Sequence, residues 1–243
     1  MKTSKYKRTL FLCILASILN TFLLIGSVKA AEPQHLFWAS DIAINVTPEL
    51  NAYGSYPSYI RWPKLGGIGL HENRTKCSTF LTLVLMKSYG LTSTDIINWM
   101  STASPSANTY YDAIKQKNGF KIVYNINNII PGDIIAIKYP NGITSTGHVM
   151  IAKTKAIPRT ATSPLVSETS QYEIQVIDSS QSPHGSNDSR SNSDGTYDSG
   201  AGIGILRLYA NSLGGLAGYT WSTQSNSQFF SKANHPIIVG RLI

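Results

Sequence analysis

Apolar positions along this chain change period near residue 120. Before that point they recur with helical spacing. Residues 75–89 predict a helix in which Phe80, Leu81, Leu83, Val84, Leu85 and Met86 point in nearly every direction, the pattern of a helix surrounded by core. Thr75 is placed to cap it, and Gly90 to end it in a left-handed conformation. Shorter helices are predicted at 94–100 and 108–117, the second ended by Gly119.

After residue 120 the period becomes two. Residues 134–139, 148–154, 172–178, 203–209, 216–221 and 237–242 are β-branched or aromatic runs bounded by turn residues, hence strands. Pro131-Gly132 fits the centre of a type II turn leading into the first. Residues 31–70, with Pro33, Pro48, Pro57 and Pro63, read as an irregular lead-in. Residues 179–202, rich in Ser, Asp, Asn and Gly, form a polar loop too long for an idle connection. Helices first and strands afterwards predict an α+β class, a central buried helix on a mostly antiparallel sheet of roughly six strands.

The first 30 residues have a different logic. Lys2, Lys5, Lys7 and Arg8 precede an apolar stretch at 10–25, and Val28-Lys29-Ala30 offers small residues for cleavage after Ala30. That is the layout of a signal peptide, too short in its apolar part for a spanning helix. The expected product is one exported domain, 31–243, secreted or periplasmic, with no stable membrane span. Five of the 21 basic residues and none of the 13 acidic ones lie in the leader, so the mature chain has 16 basic residues against 13 acidic. Its net charge is +3, where the precursor has +8. With no dense Lys/Arg stripe after Ala30, nucleic acid is not an expected partner.

Cysteine usage is the sharpest constraint on chemistry. Cys13 falls in the leader, so the mature chain has a single cysteine, Cys77, and no internal disulfide. A lone thiol in an oxidising compartment is a candidate nucleophile. Cys77 lies in the first turn of the most apolar helix, where unpaired N–H groups and the helix dipole favour a thiolate and could stabilise an oxyanion. Its base should be a histidine, and His148, directly after Gly147 at the head of an apolar strand, is the best placed; His71, six residues from Cys77, is the local competitor. Asp178, at the end of the 172–178 strand, is positioned to orient the imidazole if the two strands pair. In the polar loop, Arg190 is a candidate for pairing with a substrate carboxylate. His184, Asp188, Asp194 and Asp198 are spaced too loosely to predict a metal site. Neither metal nor cofactor is expected.

Cys77-Ser78-x-Phe80 at a helix start, Pro131-Gly132-Asp133 before a strand and Gly147-His148-Val149 opening the next resemble the NlpC/P60 and CHAP superfamily of papain-like cysteine hydrolases. The resemblance covers roughly 59–178. It implies a papain-like half-barrel fold and cleavage of amide bonds, with peptidoglycan stem peptides or another peptide-like substrate as partner. It also implies substrate contacts from Ser78 and from Tyr59 or Trp62 in a lead-in loosely like that family's. The pattern departs from the family at Lys76, before the cysteine, and at Thr79, where glycine is usual. Two alternatives stay open: an exported effector acting on a non-wall substrate, and a non-catalytic surface-binding module.

Overall fold

Among the described residues, helices 34–45, 77–89 and 107–115 pack against one face of a wide antiparallel sheet, and a small second sheet delivers the chain to the central helix. The computed structural model describes residues 32–54, 56–64, 69–140 and 145–243. The predicted leader, with its cleavage point at Ala30, lies outside the described residues. Glu32–Ile243 form one unit, and no described helix is long and apolar enough to cross a membrane.

The lead-in is more regular than its prolines suggest. Helix α1 (Gln34–Asn45) begins after Pro33 and buries Leu36, Ala39 and Ile42 along one stripe. Strands β1 (Asn51–Tyr53), β2 (Tyr59–Arg61) and β3 (Glu72–Thr75) form a sheet in the order β1-β3-β2. Helix α2 (Cys77–Tyr89) follows, its first turn capped by no side chain and its end closed by Gly90 at φ 66°. Thr75, expected as the cap, instead ends β3, and Lys76 holds the N-cap position. Helices α3 (Ser93–Met100) and α4 (Ala107–Lys115) each start with a reciprocal capping box, Thr92 with Asp95 and Ser106 with Thr109.

Strands β4 (Phe120–Ile122), β5 (Ile134–Lys138), β6 (Gly147–Ala152), β7 (Ile157–Pro158), β8 (Thr169–Ser180), β9 (Gly200–Asn211), β10 (Leu216–Thr220), β11 (Phe229–Ser231) and β12 (Ile237–Leu242) make a nine-stranded sheet. Its order is β11-β10-β9-β8-β6-β5-β12-β4, with β7 added beside β8, and every pairing is antiparallel. All six predicted strands are in it. The α+β papain-like half-barrel, with roughly six strands, is not the architecture: twelve strands stand against four α-helices among the described residues, in a β-rich fold with a nine-stranded main sheet. Six strands escaped the reading because they are two to four residues long or polar, as in Glu-Asn-Arg-Thr of β3.

Alternation sorts the sheet's two faces. Ile134, Ala136, Val149, Ile151 and Ile177 pack with Phe80, Leu81, Val84 and Leu85 of α2 in one core. Ile135, Ile137, Met150, Val176, Leu206 and Tyr219 form a second core on the opposite face, so the central strands are covered on both sides.

Two features aim the sheet at the start of α2. Strands β6 and β8 pair only at Ile151↔Ile177 and Ala152↔Val176; beyond these the strands part, leaving room at the end of the sheet. The small sheet is clasped to β9 by Asn51, whose amide donates to the Ala201 carbonyl while its oxygen accepts from the Ala201 N–H, both at 2.8 Å. Ser179 Oγ donates to the Thr75 carbonyl at 2.7 Å, tying the residue after Asp178 to the strand before Cys77.

Gly147 sets the head of β6. Its φ is +143°, and a Cβ there would lie 2.0 Å from the Ile137 carbonyl oxygen, a contact no side chain tolerates. Gly147→Ala should therefore cost at least about 2 kcal/mol in a urea melt. An unchanged midpoint would show that the backbone at this point is not held as described.

Candidate active site

The site is built where three elements end. Helix α2 supplies Cys77 from its first turn, β6 supplies His148 from its head, and β8 supplies Asp178 near its end. The structure thus brings together the three residues that the sequence nominated from positions 30 and 71 residues apart. Cys77 is 5% exposed and Asp178 fully buried.

His148 Nε2 donates to Asp178 Oδ2 at 2.5 Å, which leaves Nδ1 for the sulfur. Burial acts to raise the Cys77 thiol pKa, but the His148 charge, a hydrogen bond from its ring and the Val149 N–H outweigh it, and the net direction is down. Burial likewise opposes a charged His148, yet the Cys77 sulfur and then Asp178 push its pKa up to about 10. The two shifts run in opposite directions, the thiol's down and the imidazole's up, so each favours a thiolate beside an imidazolium over the neutral pair.

Asp178 is held by more than His148. His184 Nε2 donates to the same Oδ2 at 2.7 Å, and Arg190 donates to Oδ1 at 2.9 Å. Burial acts to raise the carboxyl pKa, but Arg190 first and then His184 hold it well below the usual carboxylate range. Arg190 is itself locked: Nε and Nη2 donate to the two Asp188 oxygens at 2.8 and 2.7 Å, and Nη1 also reaches the Gly200 carbonyl. Asp188 in turn accepts from the His184 N–H at 2.7 Å. The polar loop is thus the buried electrostatic frame of the site.

That placement corrects the role expected for Arg190. The guanidinium is 2% exposed with two carboxylates on it, so it is spent inside the protein and does not face a substrate. Tyr59 and Trp62 are also elsewhere. Tyr59 lies under the Arg61 guanidinium, and Trp62 packs edge-on against Trp38 with its Nε1 toward the Trp38 carbonyl. Neither lines the cleft. Ser78 sits beside Cys77, half-buried, its carbonyl accepting from Thr82 within the helix. His71 pairs with Asp41 of α1, at 3.0 Å, and is not a rival base.

The cleft at His148 has a volume of about 440 Å³, and its walls include Tyr53, Tyr139, Ser180, Gln181 and Trp221. The phenols of Tyr53 and Tyr139 lie within electrostatic range of the sulfur, which with burial raises the pKa of both. The Trp221 ring stacks on His184 (5.3 Å, 12°) and meets His148 edge-on at 5.3 Å. His184, Tyr53, Tyr139 and Trp221 are the site residues that sequence reasoning missed. One signal was present for His184: Gly200-x-Gly202-x-Gly204 puts glycines at alternate positions of a strand, the mark of a close approach. A Cβ on Gly202 would strike Arg190, and one on Gly204 would strike His184 and Asp188.

Among the described residues, His148, Asp178 and His184 have ligand atoms within 4.8 Å of one another, near enough to share a metal ion. The donor types suit a transition metal. Against this, Oδ2 already accepts from both imidazoles, and a fixed guanidinium charge on the same carboxylate opposes a second cation. Of the looser set considered in the loop, Asp194 faces solvent and caps its own turn through Thr196.

The chain is 33% identical over 223 residues to a protein of Acanthamoeba polyphaga mimivirus described as uncharacterized protein R653, an alignment covering 87% of this chain and 97% of that protein. The chain belongs to that protein's family. No protein-family model and no solved structure matches it. The R653 family relationship therefore carries no activity with it, and chemistry has to be argued from the site.

Two measurements check the electrostatics. Asp178→Asn or Arg190→Met leaves a buried charge without its partner and should cost about 3–5 kcal/mol; a loss under about 1 kcal/mol would mean the cluster is solvated. The Cys77–His148 pair predicts a particular pH dependence of stability. The lowered Cys77 thiol pKa contributes stability that is present above its unfolded value of about 8.5 and lost as pH falls through the native value. The raised His148 pKa contributes stability that is lost as pH rises through about 10; above about 8.5 the unfolded chain holds neither proton while the native pair still holds one, so the pair's contribution falls with rising pH up to about 10. Thermal melts from pH 5 to 10.5 should show this profile, and Cys77→Ser should remove it. Identical profiles for the two proteins would mean that no ion pair forms.

Proposed function

We propose that the protein is a cysteine hydrolase that cleaves amide bonds through acyl transfer to Cys77. The observation that carries the reading is the one cysteine among the described residues, at an uncapped helix start, set against an imidazole whose second nitrogen is held by a buried, charge-locked carboxylate. A structural thiol has no need of that second and third partner.

The chemistry follows from the positions. The Cys77 thiolate attacks the carbonyl carbon and a C–S bond forms. The N–H groups of the first turn of α2, which has no side-chain cap, face the developing oxyanion. The His148 imidazolium gives its Nδ1 proton to the departing nitrogen as the C–N bond breaks, leaving a thioester and a free amine. Water then attacks the thioester and yields a proton to neutral His148; the C–S bond breaks, the acid departs and the ion pair is restored. Asp178 keeps the ring's orientation throughout, and Arg190 keeps Asp178 ionised.

The walls limit the substrate. The cleft lining consists of aromatic, hydroxyl and amide groups with the His148 and His184 rings, and it contains no lysine, arginine or carboxylate. Stem-peptide carboxylates, expected to meet Arg190, find no such partner here, so an uncharged amide is the better match than an acidic peptide. Export through the N-terminal leader completes the proposal and sets the place of action outside the cytoplasm.

Cys77→Ala should reduce hydrolysis by at least about a thousandfold while leaving the melting curve near that of the parent, assayed on neutral peptide amides and on peptidoglycan with product mass analysis. Activity of the parent should fall on the alkaline side near pH 10, where His148 loses its proton. Undiminished cleavage by a folded Cys77→Ala protein would overturn the assignment. So would a Cys77 thiol that iodoacetamide alkylates at neutral pH no faster than it does in His148→Ala.

A further inference from the structure

A second cavity of about 490 Å³ adjoins the cleft, sharing Pro183 and Trp221 with it. One wall is the hairpin-like end of the 181–199 loop, where Ser191 bridges to Tyr197 and the Asn192 N–H donates to the Thr196 carbonyl. The other is the 221–227 segment that follows β10, fixed from beneath by Arg207. That arginine is fully buried, and its Nη2 donates to the Gln224 carbonyl at 2.6 Å while the rest of its head meets hydroxyls, carbonyls and the Gln171 amide. The segment is therefore anchored.

The chemistry of the lining is selective. None of its thirteen residues is charged; eight are Ser, Thr, Asn or Gln, and two, Tyr197 and Trp221, are aromatic. Without a cation, phosphates, carboxylates and nucleic acid have nothing to pair with. Without a run of aliphatic side chains, a lipid tail would bury no apolar partner surface. The polar groups are largely side chains on two loops, and no open strand edge lines the cavity to take an extended peptide backbone. What remains complementary is a ligand that presents many neutral hydroxyls along its rim and flat C–H faces. Carboxamides and hydroxyls satisfy the first, since each both donates and accepts; Tyr197, 55% exposed, and Trp221 offer rings to the second.

From this we infer that the groove is a binding site for a neutral oligosaccharide. Because the groove opens beside His148, the inference also makes the amide substrate proposed above a glycan-bearing one, and that extension alone rests on the acyl-transfer reading. Saccharide binding itself needs no thiol.

The test is accordingly made on Cys77→Ala protein, by calorimetry with tri-N-acetylchitotriose, maltotriose and laminaritriose, and with an uncharged tetrapeptide amide alongside. At least one trisaccharide should bind saturably with a Kd below about 1 mM. Tyr197→Ala and Asn226→Ala, both solvent-facing and expected to melt like the parent, should each weaken it about tenfold or more. Silence with all three sugars, binding unaffected by both variants, or binding of the tetrapeptide in place of the sugars would each overturn the inference. None of these results bears on whether Cys77 is a nucleophile.

Discussion

The structure turns on one carboxylate shut away from the surface. Asp178 is fully buried, and an isolated carboxylate there would take up a proton sooner than stay charged. Arg190 prevents this, and the arrangement needs Arg190 to be inside, which in turn requires Asp188 to balance it. The result is an alternating chain of charges, imidazolium, carboxylate, guanidinium and carboxylate, that closes within the polar loop and β8. Each member is buried at a cost, and each is tolerable only with its neighbours present. Such a cluster contributes little net stability, so its retention is better explained by what it does to His148: it keeps the imidazole oriented and its proton tightly held.

The fold accommodates that cluster by thinning the sheet around it. Strands β6 and β8 stop pairing before their ladder reaches His148 or Asp178, and the two side chains bond to each other directly. On the other side of β8, strand β9 gives up side chains at Gly202 and Gly204, and His184 and Arg190 lie in the space. The helix start is brought in from a third direction by the small sheet and held by Asn51 and Ser179. Sheet, loop and helix meet at one end of the sheet because backbone groups there have side-chain partners in place of ladder partners.

How much of this was legible from residues follows from where each signal is written. Helix α2 announced itself by apolar positions all round and by Gly90, and the six longer strands by alternation. Cys77 stood out as the sole cysteine after residue 30, His148 by its glycine and its strand, and Asp178 by ending a strand before a polar run. These are local features, and they survive without knowledge of the fold. The short strands carry no such signal: three or four polar residues pair only because a neighbour presents an edge. Arg190 was misread for a related reason. In a Ser/Asn/Asp/Gly-rich loop an arginine looks solvated, and only the register of β8 against β9 reveals that the loop folds inward over two glycines. The papain-like architecture failed because its motifs describe a turn, a strand start and a helix start, and such pieces do not determine how many strands surround them.

Trp221 links the chemistry to the neighbouring groove. Its ring lies flat on His184 and edge-on to His148, and it borders both cavities. A ligand in that groove would meet a ring whose far contacts are the two imidazoles that share Asp178. Any rotation of the indole would change the packing of His184, and through Oδ2 the hydrogen bond that orients His148. The contact therefore places an uncharged groove one ring away from the charged cluster.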